Sequence, residues 1–276
     1  MSTGIRAVTV HMDRTAAAAN RAILAADLAD RFGAQISGAA AGIVYLPSYA
    51  PFGDSFIALQ PEIVETAHKL IASALDDAAA VFRTSVKMPG AIWRQSQATD
   101  AASFLGLIAR TADLIVVGRP VETDIDASLG LRPSDLVMTA GRPILVAPTG
   151  ADRLSAARIV VGWKDSCESR RAVADAMPIL TKADEVFVVA ADAEDGGKGA
   201  AEVAAWLGAH GAQAKSIVES VSDARAAEAL MTVAKRVNAD LIVAGAFGHS
   251  RAREWIFGGV TRSLLKDTEI AVLLSH

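Results

Sequence analysis

The segment with the most chemistry in its spacing is Gly245-Ala246-Phe247-Gly248-His249-Ser250-Arg251-Ala252-Arg253-Glu254-Trp255-Ile256-Phe257-Gly258-Gly259-Val260-Thr261. Glycines let a backbone approach phosphate oxygens and take up positive φ. Bare N–H groups opening into a helix N-terminus favour an anion, and the Thr261 hydroxyl can add a hydrogen bond. Arg251, Arg253 and Arg262 stand close enough in sequence to neutralise such an anion, or are solvated with Glu254 between them. His249 beside Gly248 reads as solvent-exposed, with an approach to phosphate as the alternative. The other candidates are weaker. Cys167 in Asp165-Ser166-Cys167-Glu168 falls at a helix N-terminus, where the dipole lowers a thiol pKa and Glu168 opposes it. It reads as a spectator thiol, with a redox role as the alternative. The histidines His11, His68, His210, His249 and His276 form no metal-spacing pair. No Gly-Lys-Ser/Thr phosphate loop, Gly-x-Ser-x-Gly elbow or Cys/His/Asn pattern supplies a general base or a nucleophile.

The elements that must position this segment are alternating strands and helices. Arg158–Trp163, Glu185–Ala191, Ala214–Val218, Asp240–Gly245 and Glu269–Leu274 read as strands, several of them apolar on both faces as in a helix-covered parallel sheet. Between them lie helical stretches at Ser166–Leu180, at Gly199–His210 stopped by Gly211, from a Ser222 cap to Val237 with Asn238 at its end, and around Val260–Leu265. Parallel strands joined by helices cross over right-handed. Open sheets of this kind bind ligands at the carboxyl ends of the strands, where Gly245 falls.

The chain repeats itself. Ala112-Asp113-Leu114-Ile115-Val116-Val117-Gly118 returns as Ala239-Asp240-Leu241-Ile242-Val243-Ala244-Gly245, an offset of 127 between Gly118 and Gly245. Arg6–Asp13 returns as Arg158–Asp165 at an offset of 152, so the first half carries about 25 additional residues (152 − 127). A period this long marks two copies of a domain rather than a solenoid. The polar, turn-rich linker 148–155 separates a first domain, 1–149, from a second, 156–276. In the first, Thr15–Phe32 is a helix stopped by Gly33. The added residues fall in 45–61, a concentration of aromatics and prolines ending at Pro61, which suits the first turn of the next helix. That segment reads as a loop over the sheet edge, with a lid or apolar ligand wall as the alternative.

Composition narrows the function. Hydrophobic residues make up 52% and charged residues 21%, enough for a buried core. A net charge of −4 argues against a general nucleic-acid binder. A lone cysteine excludes an internal disulfide framework and a Cys-cluster zinc site. No apolar run reaches membrane-spanning length, and Met1–Arg6 lacks the layout of a signal peptide, so the expected location is cytoplasmic.

On Gly245, Gly248 and Gly258, with nine residues between the last two, followed by Gly259-Val260-Thr261-Arg262, the chain resembles a tandem universal stress protein. Members that bind ATP typically carry Gly-x2-Gly-x9-Gly followed by Ser or Thr. The resemblance implies two Rossmann-like domains of the adenine nucleotide alpha hydrolase-like type. Each would be a five-stranded parallel sheet of order 3-2-1-4-5 flanked by helices. It implies that Asp165 meets the adenine or ribose, that Ala190 contacts the base through its backbone, and that Gly245, Gly248, Gly258, Gly259, Val260 and Thr261 line ribose and phosphates. The cofactor so implied is ATP or AMP, with Mg accompanying ATP. The last strands, Pro143–Ala147 and Ile270–Leu274, are edges in that order. They are expected to pair antiparallel inside the chain as a pseudo-dimer, with a homodimer of whole chains left open.

Two departures shape the expectation. Gly259 stands where ATP-binding members usually have Ser or Thr, which removes a hydroxyl contact worth on the order of 1 kcal/mol. In the first half only Gly118 survives: Gly248, Gly258 and Gly259 fall on Val121, Leu131 and Arg132, Pro120 has no N–H, and Asp124 and Asp126 repel phosphate. Asp13, the counterpart of Asp165, is expected to cap the first helix. The expectation is a cytoplasmic stress-response protein that binds an adenine nucleotide in its second half as a regulatory ligand, with slow ATP hydrolysis at most. The alternatives are a dimerisation and partner-docking module without nucleotide, and a binder of a small apolar ligand through 45–61.

Overall fold

In a computed structural model, residues 4–44, 61–119, 129–191, 198–221, 225–246, 259–267 and 269–276 are described. The first half contributes strands β1 (Ala7–His11), β2 (Gln35–Ala41), β3 (Ile92–Ser96), β4 (Leu114–Val117) and β5 (Ile144–Val146). The second contributes β6 (Arg158–Trp163), β7 (Glu185–Ala190), β8 (Ala214–Val218), β9 (Leu241–Gly245) and β10 (Ala271–Ser275). They join in one sheet of ten strands, ordered β3-β2-β1-β4-β5-β10-β9-β6-β7-β8. Each half therefore runs 3-2-1-4-5, with every pairing inside a half parallel. Among the described strands the sheet passes from one half to the other at β5 and β10, antiparallel, with Leu273 opposite Leu145. The two apolar edges expected from the sequence thus cover each other within the chain.

The strands pack on both faces because they are apolar on both faces. In β4 and β9, Leu114, Val116, Leu241 and Val243 point into one hydrophobic layer, while Ile115, Val117, Ile242 and Ala244 point into the other. The first layer is closed by α1 (Ala18–Phe32), α2 (Pro61–Ser85), α5 (Cys167–Leu180) and α6 (Lys198–Ala209). The second is closed by α3 (Ala101–Ile108), α4 (Pro133–Ala140), α7 (Ala226–Arg236) and α8 (Gly259–Asp267). Each layer runs through both halves, so the core is continuous across the β5–β10 seam.

The helix stops behave as their residues dictate. Gly33 takes φ 59° and Gly211 φ 94°. Asn238 takes φ 52° after α7, the left-handed conformation that Asn tolerates best among side-chain-bearing residues. Two expectations on helix starts are corrected or limited. Asp13 does not cap α1. Its carboxylate accepts Thr15 N–H at 2.9 Å and the Thr15 hydroxyl at 2.5 Å, a local turn that delays the helix from the expected Thr15 to Ala18. Ser222 lies outside the described residues. The linker is strapped to α1: Arg31 donates to the carbonyls of Leu154 and Ser155, and Asn20 to that of Gly150. Among the described residues no helix is long and apolar enough to cross a membrane.

Candidate functional site

In the second half, the carboxyl ends of β6, β7 and β9 and the first turn of α5 come together around Asp165, Ala190 and Gly245. Asp165 follows β6, with its side chain 68% exposed and bonded to Arg170 Nη2 at 2.5 Å. Ser166 caps α5, its hydroxyl accepting Ser169 N–H. The neighbouring Glu168 carboxyl is held below its ordinary range, chiefly by a backbone N–H at this helix start. The anion-favouring end of α5 is therefore already supplied with an acceptor and a negative charge. Ala190 ends β7, buried, and its carbonyl accepts Glu219 N–H at 2.9 Å, so one acceptor position of this backbone is engaged by the protein itself.

Gly245 has a structural duty that its spacing did not announce. A Cβ there would stand 2.6 Å from Ser169 N and 2.7 Å from the Glu168 carbonyl carbon. The glycine lets the first turn of α5 seat on the end of β9. Only the three-dimensional crossing of α5 over β9 reveals this, since nothing in the sequence pairs position 245 with 168–169.

Gly259 and Val260 open α8, and Thr261 follows in the first turn, 3% exposed. That turn holds no acidic residue. Gly248 and Gly258 lie outside the described residues, as do His249, Arg251 and Arg253. Arg262 is exposed on α8, and Cys167 is an exposed free thiol. Among the described residues, no three His, Cys, Asp or Glu side chains gather as a metal site.

The equivalent place in the first half is filled from within. Arg21 is 3% exposed, with Nε donating to the His11 carbonyl at 2.8 Å and Nη2 2.9 Å from Asp13 Oδ2. Its Nη1 lies against Gly118 so closely that a Cβ on that glycine would collide with it. The guanidinium thus occupies the space beside the first glycine and takes up the carboxylate that corresponds to Asp165. At the 152 offset the second half has Val173 in place of Arg21. The first turn of α4 differs in the same sense from that of α8. It begins with Pro133, which has no N–H, and carries Asp135, bonded by the Ser134 hydroxyl. Sequence reading missed Arg21, because an arginine at helical spacing among alanines reads as a surface residue. Asp124, Asp126 and the segment 45–60 lie outside the described residues.

The cluster makes a pH prediction. His11, 1% exposed, donates through Nε2 to the Leu129 carbonyl at 3.1 Å. Its pKa is lowered from 6.5 to about 4: burial is the main cause, helped by Arg21 and opposed by Asp13 and the Leu129 bond. The folded protein keeps His11 neutral where the unfolded chain protonates it. Stability tied to this group is therefore complete above pH 6.5 and falls as pH drops to about 4, by about 3 kcal/mol in all. Urea midpoints measured from pH 7 to pH 4.5 should fall with pH more steeply for the native sequence than for His11→Gln, whose amide keeps the Leu129 bond without titrating. Parallel slopes would show that His11 does not titrate on unfolding.

The match to known proteins falls on the half with the glycine edge. Residues 155–276 match the universal stress protein family. The fold extends the likeness to the whole chain. A universal stress protein from Archaeoglobus fulgidus, 14% identical, superposes with a TM-score of 0.69, covering 98% of this chain and 97% of that one. A functionally unknown protein from Pseudomonas aeruginosa, 16% identical, gives 0.58, with 98% and 92% covered. No curated protein sequence matches the chain. The whole chain thus has an α/β fold, a largely parallel sheet with helices on both faces, that matches Rossmann-like universal stress protein structures.

Proposed function

We propose that the second half binds an adenine nucleotide, ATP or AMP, as a regulatory ligand of a cytoplasmic stress-response protein, and that the first half binds none. The observation that carries this reading is the difference between the two edges. In the first half a buried guanidinium fills the place beside Gly118, and an acidic first turn opens α4. In the second half the place of Arg21 falls to Val173, and α8 opens on Gly259 with no acid in its first turn. A helix N-terminus free of acid, next to glycine, attracts phosphate. Gly245, Gly248, Gly258, Gly259, Val260 and Thr261 would line ribose and phosphates. Asp165 would release Arg170 to meet the ribose or adenine, and the backbone at Ala190 would face the base. Magnesium would accompany ATP.

Calorimetry with ATP tests the site. Gly248→Val, which copies Val121 of the first half, is expected to weaken binding by 10-fold or more. Gly259→Ser should tighten it about 5-fold, the worth of one recovered hydrogen bond. Unchanged affinity in Gly248→Val would place the nucleotide elsewhere.

One observation favours a second reading, a scaffold without ligand whose paired halves serve partner docking. Gly245 is required for the seating of α5 whether or not phosphate binds. On that reading the purified chain takes up no nucleotide at any concentration near the cellular range.

A further inference from the structure

Arg119 belongs to the first half, one residue beyond Gly118 at the carboxyl end of β4, yet among the described residues its guanidinium donates two hydrogen bonds into the second. Nη1 donates to the Leu265 carbonyl at 2.8 Å and Nη2 to the Ile270 carbonyl at 2.9 Å. The antiparallel seam makes this reach available. Val146, the last residue of β5, lies opposite Val272 near the start of β10, so the carboxyl end of one half's sheet adjoins the base of the other. Leu265 lies in the last turn of α8, and Ile270 directly precedes β10. Carbonyls in a last turn have no partner inside their helix, and a cation there also complements the helix dipole. The planar fork of the guanidinium can hold two acceptors at a fixed separation, as an ammonium cannot.

The arrangement is one-way. The 127 offset places Ala246 at the position equivalent to Arg119. Ala246 is fully buried and stays within its own half, its N–H bonded to the Ser275 carbonyl and its carbonyl to His276 Nδ1. Within its own half α8 packs against α7. It is 9 residues long, about 13 Å, and among its described side chains Thr261, Leu264 and Leu265 alone are buried. A helix this short moves as a rod, so the anchoring of its last turn sets where its first turn stands.

We propose that Arg119 is a positioning residue for the nucleotide, lent by the half that has no site of its own to fix the helix whose first turn takes the phosphates. This rests on the nucleotide reading above. The first half, which binds nothing itself, then sets the affinity of the second.

The test uses the intact chain with Arg119→Ala and Arg119→Lys, each with two readouts, ATP affinity by calorimetry and amide hydrogen exchange of α8. Arg119→Ala should weaken ATP about 10-fold, within the usual range of coupling between sites. Exchange in α8 should quicken at least 10-fold, with α7 and β9 unchanged. Arg119→Lys should recover part of both. Native affinity together with native exchange in Arg119→Ala overturns the proposal, and so does an equal quickening of α7, β9 and α8, which marks general loosening. If the native chain binds no ATP, the nucleotide reading falls and the ligand role of Arg119 falls with it. The exchange data then decide separately whether Arg119 holds α8.

Discussion

Deleting residues 268–276 should leave a chain that no longer unfolds as one cooperative unit. The segment carries β10, which lies between β9 and β5 and joins the two halves of the sheet. Its Val272, Leu273 and Leu274 are fully buried and feed both hydrophobic layers. Burial of such side chains is worth about 1.5–3 kcal/mol each. Together with the lost pairing on both flanks, this rivals the ~5–15 kcal/mol that holds a typical domain. The deletion also bares two strand edges, β5 and β9, each apolar and with free N–H groups, so aggregation should accompany the loss. The single change Leu273→Ala is the graded version, expected to cost about 2–5 kcal/mol. Urea unfolding followed by circular dichroism reads both. A shortened chain with the native midpoint and slope would mean that the halves are not held by this seam.

Arg21→Met should be the most damaging single substitution among the charged residues of the first half. Methionine fills much of the arginine stem, so the loss is chiefly electrostatic. Burial pushes the Asp13 carboxyl up, but Arg21 beside it, then His11 and the Thr15 hydrogen bonds, together hold it below its ordinary range. Removing the guanidinium leaves a carboxylate with only 12% side-chain exposure beside a His11 that is neutral at pH 7. Breaking one partner of a buried pair costs about 3–5 kcal/mol. The sign with pH follows. The folded pKa of Asp13 lies below its unfolded value, so its contribution is present above the unfolded pKa and is lost as pH falls through the folded one. In Arg21→Met the carboxyl should instead favour its neutral form, and the penalty should shrink on acidification. The double variant Arg21→Met with Asp13→Asn should recover a large share of the loss, because the two groups act as a pair. Denaturation midpoints of the two single variants and the double variant measure that coupling, and strictly additive losses would show the pair is not coupled.

The architecture was legible because its signals are local and repeated. The runs Leu114–Val117 and Leu241–Val243 are apolar at every position, as suits short strands covered on both faces. Gly33, Gly211 and Asn238 mark helix ends by backbone conformation alone. What stayed hidden depends on residues distant in sequence. Asp13 looked like a helix cap because that pattern is local, whereas its partner Arg21 points inward only because Gly118, almost a hundred positions on, leaves room for it. Arg119 stands between Gly118 and Pro120 with no local sign of its role. Its carbonyl partners lie beyond a seam whose antiparallel sense brings opposite sheet ends together. Gly245 was read as a phosphate glycine from its spacing, and the fold adds that α5 needs it too.

The difference between the halves is tested most directly by counting ligands. Native mass spectrometry of the intact chain titrated with ATP, with a photoreactive azido-ATP to mark the peptide that holds it, should show one nucleotide per chain, with label confined to residues 239–267. Two nucleotides per chain, or label on the peptide containing Gly118, would contradict the account by showing that Arg21 does not close the first site. A chain that takes up none would leave both halves as scaffold.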